Sequence, residues 1–282
     1  MGVGMSQVVL ITGCSSGIGR ATASRLAKAG WTVYATARRP ETLAQLAAEG
    51  CRTLALDVTD DESMTAAVKA VESEHGAVDA LVNNAGYGEY GAVEAVSLEL
   101  ARKEFETNVF GLARLTQLVL PGMRAQRRGR IVNVSSMGGR LTFPGGGWYH
   151  ASKYAVEALS DALRFEVRPF GVDVVVVEPG TIKTNFEETV IGSVHSTEPG
   201  PYAEFHTSVA QTVHGAYEGM LGRFATGPDA VAKVIEKALT VPRPRTRYPV
   251  TLGARGILAA RRLLPDRAFD AVLRTQFTPP RP

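Results

Sequence analysis

Residues 8–19 read VVLITGCSSGIG, and the fold is decided in this stretch. Val8-Val9-Leu10-Ile11 is an unbroken apolar run, the pattern of a strand covered on both faces in a parallel sheet. A glycine loop follows at once, Thr12-Gly13-Cys14-Ser15-Ser16-Gly17-Ile18-Gly19, and runs into a helical stretch over 20–29 that Gly30 stops. Strand, glycine turn and helix make a dinucleotide cradle. Gly13 permits the tight turn, Gly17 lets backbone approach a pyrophosphate, and Gly19 allows close helix packing. The helix N-terminus, with Ser15, Ser16 and Ile18 around it, supplies amides and positive dipole. The spacing is G-x-x-x-G-x-G, which differs from the G-x-G-x-x-G form of the cradle.

Working outward, strand and helix patterns alternate with short connections. A second strand is expected over 31–37, a short helix over 41–49 ended by Gly50, and a third strand over 53–56. Thr59-Asp60-Asp61-Glu62 matches a capping box and predicts a helix to His75, stopped by Gly76. A fourth strand follows at 78–82. Ser97 can cap one long helical region through Arg124, with Pro121 near its end, and Gly129 separates it from a fifth strand at 131–134. A helix over 149–167 and a sixth strand over 172–177 continue the series. Repeated βα units predict the α/β class: a three-layer, doubly wound (Rossmann) parallel sheet in a single domain over 1–282. With 45% hydrophobic and 21% charged residues, 282 residues bury a sufficient core without staples.

Composition narrows the function classes. Cys14 and Cys51 have no metal-ligand spacing and no C-x-x-C motif, so they read as reduced thiols. No charged start leads into an apolar run, and no stretch reaches the ~18–20 apolar residues of a membrane span. A cytoplasmic protein is the expectation. A net charge of +3 gives no reason to expect a nucleic-acid partner, yet its distribution is uneven. Residues 241–282 carry nine arginines against Asp266 and Asp270, a balance of +7 that leaves −4 on the remaining 240 residues. Such a tail fits anionic lipid, an acidic partner or a solvated rim.

Tyr149 and Lys153 sit one helical turn apart in WYHASKYAVEAL, which places a phenol and an ammonium on one face. A tyrosine pKa is normally near ~10, and a cation within a few ångströms favours the phenolate. The pair therefore suggests proton transfer, with a solvated lysine beside a half-buried tyrosine as the bland alternative. At the end of the second strand stand Ala37-Arg38-Arg39, with no carboxylate to claim a ribose hydroxyl. Arg38 can make a bidentate contact with a 2′-phosphate, so NADP(H) is expected over NAD(H), unless both arginines are ordinary surface charges.

Taken in order, Thr12 to Gly19, Asn83-Asn84-Ala85-Gly86, Asn108, Ser136 and Tyr149-x-x-x-Lys153 make the chain resemble a short-chain dehydrogenase/reductase over roughly residues 6–240. YATARRPE at 34–41 and PRPRTRYPV at 242–250 look most like the branch containing 17β-hydroxysteroid and retinol dehydrogenases. The resemblance implies a catalytic set of Asn108, Ser136, Tyr149 and Lys153. Ser136 would bind the substrate oxygen, with adjacent Ser135 as its rival, and Asn108 would hold a water linking the lysine to solvent. Tyr149 would be the acid in reduction, and Lys153 would lower its pKa and contact the nicotinamide ribose. The resemblance also places Asp57 and Val58 at the adenine, although Asp57 can equally cap a helix. Asn84, Ala85 and Gly86 would lie at the carboxyl edge of the sheet, and Pro179, Gly180, Ile182 and Thr184 near the nicotinamide.

Residues 185–225 are expected to form a substrate lid. Phe186, Tyr202, Phe205, Tyr217, Met220 and Phe224 would line an apolar pocket for a small hydrophobic carbonyl or alcohol, or pack the lid onto its own body. His195, His206 and His214 show no metal spacing, and no metal is expected; His150 is expected to point away from Tyr149. Past Val241 the core is expected to end. In the basic C-terminal extension over 241–282, Phe269, Val272, Leu273 and Phe277 form one helical stripe after Pro265-Asp266. That stripe is expected to pack across the active-site side or against another subunit, in preference to a membrane. A homodimer or homotetramer through the helices holding Asn108 and Tyr149 is implied by the family. The sequence reads as an NADP(H)-dependent oxidoreductase of hydrophobic ketones or secondary alcohols, steroid-, retinoid- or lipid-like. The competing class is a non-catalytic NADP(H)-binding sensor or scaffold on the same fold.

Overall fold

The structure is a computed structural model and describes residues 7–194, 200–218 and 225–280. Seven parallel strands form one sheet among the described residues: β1 (Val8–Ile11), β2 (Thr32–Ala37), β3 (Arg52–Ala55), β4 (Ala80–Asn83), β5 (Gly129–Val134), β6 (Val172–Glu178) and β7 (Arg247–Pro249). Their order is β3-β2-β1-β4-β5-β6-β7. β1 pairs with β2 on one side and β4 on the other, Val9 lying between Val33 and Ala80. The direction of winding reverses between β1 and β4, and the crevice beyond their carboxyl ends is where such sheets bind ligands.

Alternation along β1 divides the core. Val9 and Ile11 join Ala23, Leu26, Val231 and Ile235 on one face, whereas Val8 and Leu10 join Met64, Val71, Leu115 and Val119 on the other. Helices α1 (Gly17–Lys28), α2 (Ala44–Ala48) and α9 (Pro228–Thr240) therefore cover the first face. The second is covered by α3 (Asp61–His75), α5 (Leu112–Ala125) and α6 (Gly147–Val167), with α4 (Leu98–Phe105) packed against α6. Burying each large aliphatic side chain in these layers is worth roughly 1.5–3 kcal/mol. The remaining helices are α7 (Phe186–Ser193), α8 (Ala203–Glu218), α10 (Leu252–Leu263) and α11 (Asp266–Arg274). Among the described residues, no helix is long and apolar enough to cross a membrane.

Four local expectations are corrected. The capping residue of α3 is Asp60, whose carboxylate accepts from the amides of Glu62 and Ser63, so the helix starts one residue later than the capping-box reading. The single helix expected from Ser97 to Arg124 is two helices joined by a π turn at Glu106–Gly111. Ser97 does cap the first of them. Residues 41–49 begin as a 3₁₀ turn (Pro40–Leu43) before α2. The sheet also does not end at Val241, because β7 adds an edge strand from within the stretch read as an extension. Arg247 fixes it, reaching Glu157 at 2.9 Å and Asp161 at 2.6 Å on α6.

Candidate active site

A cavity of about 1190 Å³ runs along the carboxyl edge of the sheet. Its inner wall is the glycine loop: Gly13, Ser15, Ser16, Gly17 and Ile18 line it. Gly13 and Gly17 have φ of +71° and +54°, a region that favours glycine. Gly19 lies behind the loop, where a Cβ would stand 2.3 Å from Gly13 O. Ser16 caps α1 in extended conformation without a side-chain hydrogen bond, and the first turn holds no acidic residue. Its leading amides thus face the cavity with an unscreened dipole, which suits a pyrophosphate.

A second loop is tied to the first. Thr12 Oγ1 accepts from the amides of Asn84 (3.0 Å) and Ala85 (2.9 Å), and Asn84 Nδ2 donates to the carbonyls of Thr12 (2.9 Å) and Gly13 (3.1 Å). Asn84, Ala85 and Gly86 line the cavity from there. Thr12 was not singled out in the sequence beyond its place in the loop, and a threonine at a strand end carries no signal of this double bridge. Arg38 is exposed at the end of β2 and lines the cavity, whereas Arg39 does not. Asp57 and Val58 line it too, with Asp57 Oδ1 accepting from the amide and hydroxyl of Thr59. Pro179, Gly180, Ile182 and Thr184 complete that wall.

The polar centre gathers at the other end of the loop pair. Tyr149 is buried, and Ser136 acts on its hydroxyl. Ser136 also accepts from Gly138 N at 3.0 Å, while the rival Ser135 is buried with an unpartnered hydroxyl. Lys153 donates to Val134 O at 3.1 Å and stands 5.9 Å from the Tyr149 ring centre. Asn108 sits in the π turn, behind the cavity wall. Its Nδ2 donates to Tyr87 O (2.8 Å) and Ser152 Oγ (3.0 Å), and its Oδ1 accepts from Tyr87 N (3.1 Å). The extra residue of a π turn is what directs this side chain inward.

Electrostatics here differ from the expectation. Burial pushes the Tyr149 hydroxyl well above its usual value, and the Ser136 hydrogen bond pulls it back. Burial likewise lowers Lys153 to about 8, against the carboxylates of Glu104 and Glu157. In the protein alone the phenol is held protonated, because desolvation outweighs any help from the ammonium. His150 does not point away: it lines the cavity, its ring 5.6 Å from that of Tyr149 and its Nδ1 3.0 Å from Gly138 O. Burial lowers it to about 4, which keeps it neutral.

Of the lid aromatics, Phe186 and Tyr217 line the cavity, and Phe186 packs 5.4 Å from the Tyr149 ring. Tyr202 and Phe205 instead pack an outer cluster with Ala92, Val194, Val209 and Phe277. His195, Met220 and Phe224 lie outside the described residues. His206 accepts from Ala92 N at 3.0 Å and His214 lies 3.2 Å from Glu187, and no metal-binding cluster occurs among the described residues. The C-terminal stripe turns toward the site: Phe269 and Phe277 are buried and Phe277 lines the cavity, while Val272 is exposed.

A cradle of backbone amides, a buried tyrosine with a serine and a lysine around it, and one cavity joining them define a dinucleotide-binding oxidoreductase. The chain belongs to the short chain dehydrogenase family, whose model matches residues 7–192. It is 37% identical over 270 residues to the uncharacterized oxidoreductase YbbO of Escherichia coli, covering 95% of this chain and 94% of that one. It is 44% identical over 183 residues to a 3-ketodihydrosphingosine reductase of Bacteroides thetaiotaomicron, covering 64% and 66%. A short-chain dehydrogenase from Streptomyces avermitilis superposes with a TM-score of 0.81 at 37% identity, covering 97% of both chains. A serine dehydrogenase complexed with NADP+ (TM-score 0.75, 27% identity, 87% and 94% covered) and an NAD+-bound xylitol dehydrogenase (0.75, 26%, 87% and 97%) share the fold. Of these, the last two hold a nicotinamide cofactor, NADP+ in one and NAD+ in the other.

Proposed function

We propose that the chain is an NADP(H)-dependent oxidoreductase moving hydride between the nicotinamide and a hydrophobic ketone or secondary alcohol, steroid-, retinoid- or otherwise lipid-like. The observation that carries this reading is the Tyr149 hydroxyl, buried, under the influence of Ser136 and next to Lys153, at the wall of the cavity that the glycine loop opens. The nicotinamide, when bound, supplies the hydride donor or acceptor. Tyr149 gives its proton to the carbonyl oxygen in reduction, and its raised pKa keeps that proton in place until charge develops. Ser136 holds the same oxygen by hydrogen bonding, and Lys153 contributes positive charge beneath it. Asn108 braces the loop at Tyr87, which keeps Gly86 and the cofactor wall in register.

Arg38 at the cavity edge, without a neighbouring carboxylate in Ala37-Arg38-Arg39, supports NADP(H). The aromatic and aliphatic outer wall, Phe143, Phe186, Val213, Tyr217 and Phe277, supports an apolar substrate. The relative named as a 3-ketodihydrosphingosine reductase supports the same class. Exposed Phe110, Leu159 and Phe165 on the π turn and α6 support a homodimer or homotetramer through those elements. Two buried free thiols, Cys14 and Cys51, support a reducing, cytoplasmic setting.

A panel of carbonyls and alcohols with NADPH, NADP, NADH and NAD, including 1-phenyl-1,2-propanedione as a common probe, tests the reaction class. Tyr149→Phe is expected to lower turnover by at least ~10²-fold while NADPH still binds. Turnover retained in Tyr149→Phe contradicts the assignment. Tight NADPH binding without oxidation of any substrate in the panel favours the sensor reading.

A further inference from the structure

Glu104, like Glu178, is fully buried. On α4 it follows Ala101 at i+3, on the helix face turned inward. Its Oε1 stands 3.4 Å from Asn108 Nδ2, and its Oε2 is buried without a hydrogen-bond partner. An ionisable group kept in such a place, next to a polar centre, points to a role in that centre.

The geometry links it to the lysine. A single point beside Gly86, where a Cβ would stand, is 2.9 Å from Asn108 Oδ1 and 3.4 Å from Lys153 Nζ. Asn108 therefore has Glu104 on its amide side and the lysine ammonium beyond its carbonyl side. We infer that Glu104 is a positioning residue which, across Asn108, holds the buried Lys153 ammonium charged and so sets the pH range over which Tyr149 serves as acid. This rests on the reading of Tyr149 and Lys153 as the proton-handling pair.

The fields on each group agree with the inference. Glu104 is the first carboxylate that supports Lys153 against its desolvation, and Glu157, on the lysine's own helix, is the second. Burial raises Glu104 to about 8; the backbone amide of Glu89 and then the charge of Lys153 draw it down, and the Glu89 carboxylate raises it slightly again. Glu104 also acts on Tyr149 in α6 and on Tyr87 and Tyr90 in the loop after β4, raising all three. Glu104 and Lys153 thus each favour the other's charged form. A neutral residue at 104 removes the larger support, and Lys153 loses its proton at lower pH.

The test is a pH titration of the Lys153 side chain by NMR on ¹³C-lysine-labelled protein, assigned with Lys153→Arg, in wild type, Glu104→Gln and Glu104→Asp. The kcat and KM profiles for NADPH reduction of 1-phenyl-1,2-propanedione are measured on the same samples. In Glu104→Gln the Lys153 midpoint is expected to fall by about one pH unit, and the alkaline limb of kcat to move with it while KM changes little. Glu104→Asp, which keeps the charge, is expected to restore both. An unchanged Lys153 midpoint in folded Glu104→Gln overturns the inference, because glutamine preserves shape and hydrogen bonding. Glu104→Met provides the same reading should the glutamine variant not fold. A lysine midpoint that shifts in a protein without turnover on the probe supports the role of Glu104 and counts against the proposed reaction instead.

Discussion

Gly19 lies against the carbonyl of Gly13, so closely that a Cβ at 19 would fall 2.3 Å from that oxygen and 2.6 Å from Asn84 Nδ2. Neither neighbour can yield cheaply, since Asn84 and Gly13 are joined by hydrogen bonds that also involve Thr12. Gly19→Ala is expected to cost about 1–3 kcal/mol in unfolding free energy and to weaken NADPH binding at least ~10-fold by displacing the loop. Gly215→Ala, on α8 with nothing within 4 Å, is the control and is expected to be neutral or to stabilise by up to ~1 kcal/mol. Thermal denaturation and calorimetric titration with NADPH check both; equal affinity in Gly19→Ala and wild type refutes the tight cradle.

The cradle was legible because β1 and the glycine loop obey local rules: an apolar run buried on both faces, then glycines where φ is positive. Other parts follow from tertiary contacts that a sequence does not display. β7 is only Arg247–Pro249, with no alternation to read, and Arg247 secures it through acids on a distant helix. The π turn at Glu106–Gly111 inserts one residue into an otherwise regular helical pattern, which left Asn108 identifiable only by resemblance. His150 was expected to turn away because it is one position round the helix from Tyr149, yet the carbonyl of Gly138 holds it at the cavity. A glutamate in a helix is ordinarily solvated, and nothing in ARKEFETN distinguishes buried Glu104 from Glu106.

The proposed preference for NADP(H) rests on Arg38. At the exposed end of β2 it lines the cavity, and Ala37-Arg38-Arg39 carries no acid. Arg38→Asp replaces a bidentate phosphate partner by a charge that repels phosphate and accepts from ribose hydroxyls. The ratio of kcat/KM for NADPH over NADH is expected to fall by at least ~10²-fold. Unchanged preference would place the phosphate contact elsewhere.

Glu178 at the end of β6 is fully buried, with Arg140 and Arg247 at 3.5 and 3.4 Å and Glu157 nearby. Burial, then the charge of Glu157, raises it from 4.5 to about 7, and the arginines only partly offset this. As pH rises the unfolded carboxyl releases its proton first, so the unfolded state binds fewer protons and stability falls from about pH 4.5 to about pH 7. Glu178→Gln is expected to gain on wild type across that window, by on the order of 2–3 kcal/mol between pH 4.5 and pH 8. Denaturant unfolding at the two pH values measures the difference; a constant difference would mean that the carboxyl titrates normally.

Phe277 closes the far end of the cavity from outside the sheet. Its ring is buried among Ala92, Val194, Phe205 and Val209, and the chain around it is pinned to α8 by Thr212 Oγ1 donating to Gln276 O (2.9 Å) and Thr278 N donating to Ser208 Oγ (2.9 Å). Because one side of the ring packs this cluster while another lines the cavity, its removal has two separable effects. Phe277→Ala is expected to cost about 3 kcal/mol of stability by leaving a void in the cluster. The same change lengthens the cavity, so kcat/KM is expected to rise for long apolar ketones relative to short ones, with the NADPH affinity unaltered. A uniform loss across all chain lengths would show that Phe277 supports the site only by holding α8 in place. A change in NADPH affinity would mean that the C-terminal segment reaches the cofactor wall through Ile257 and Ala254 of α10, which line the same cavity.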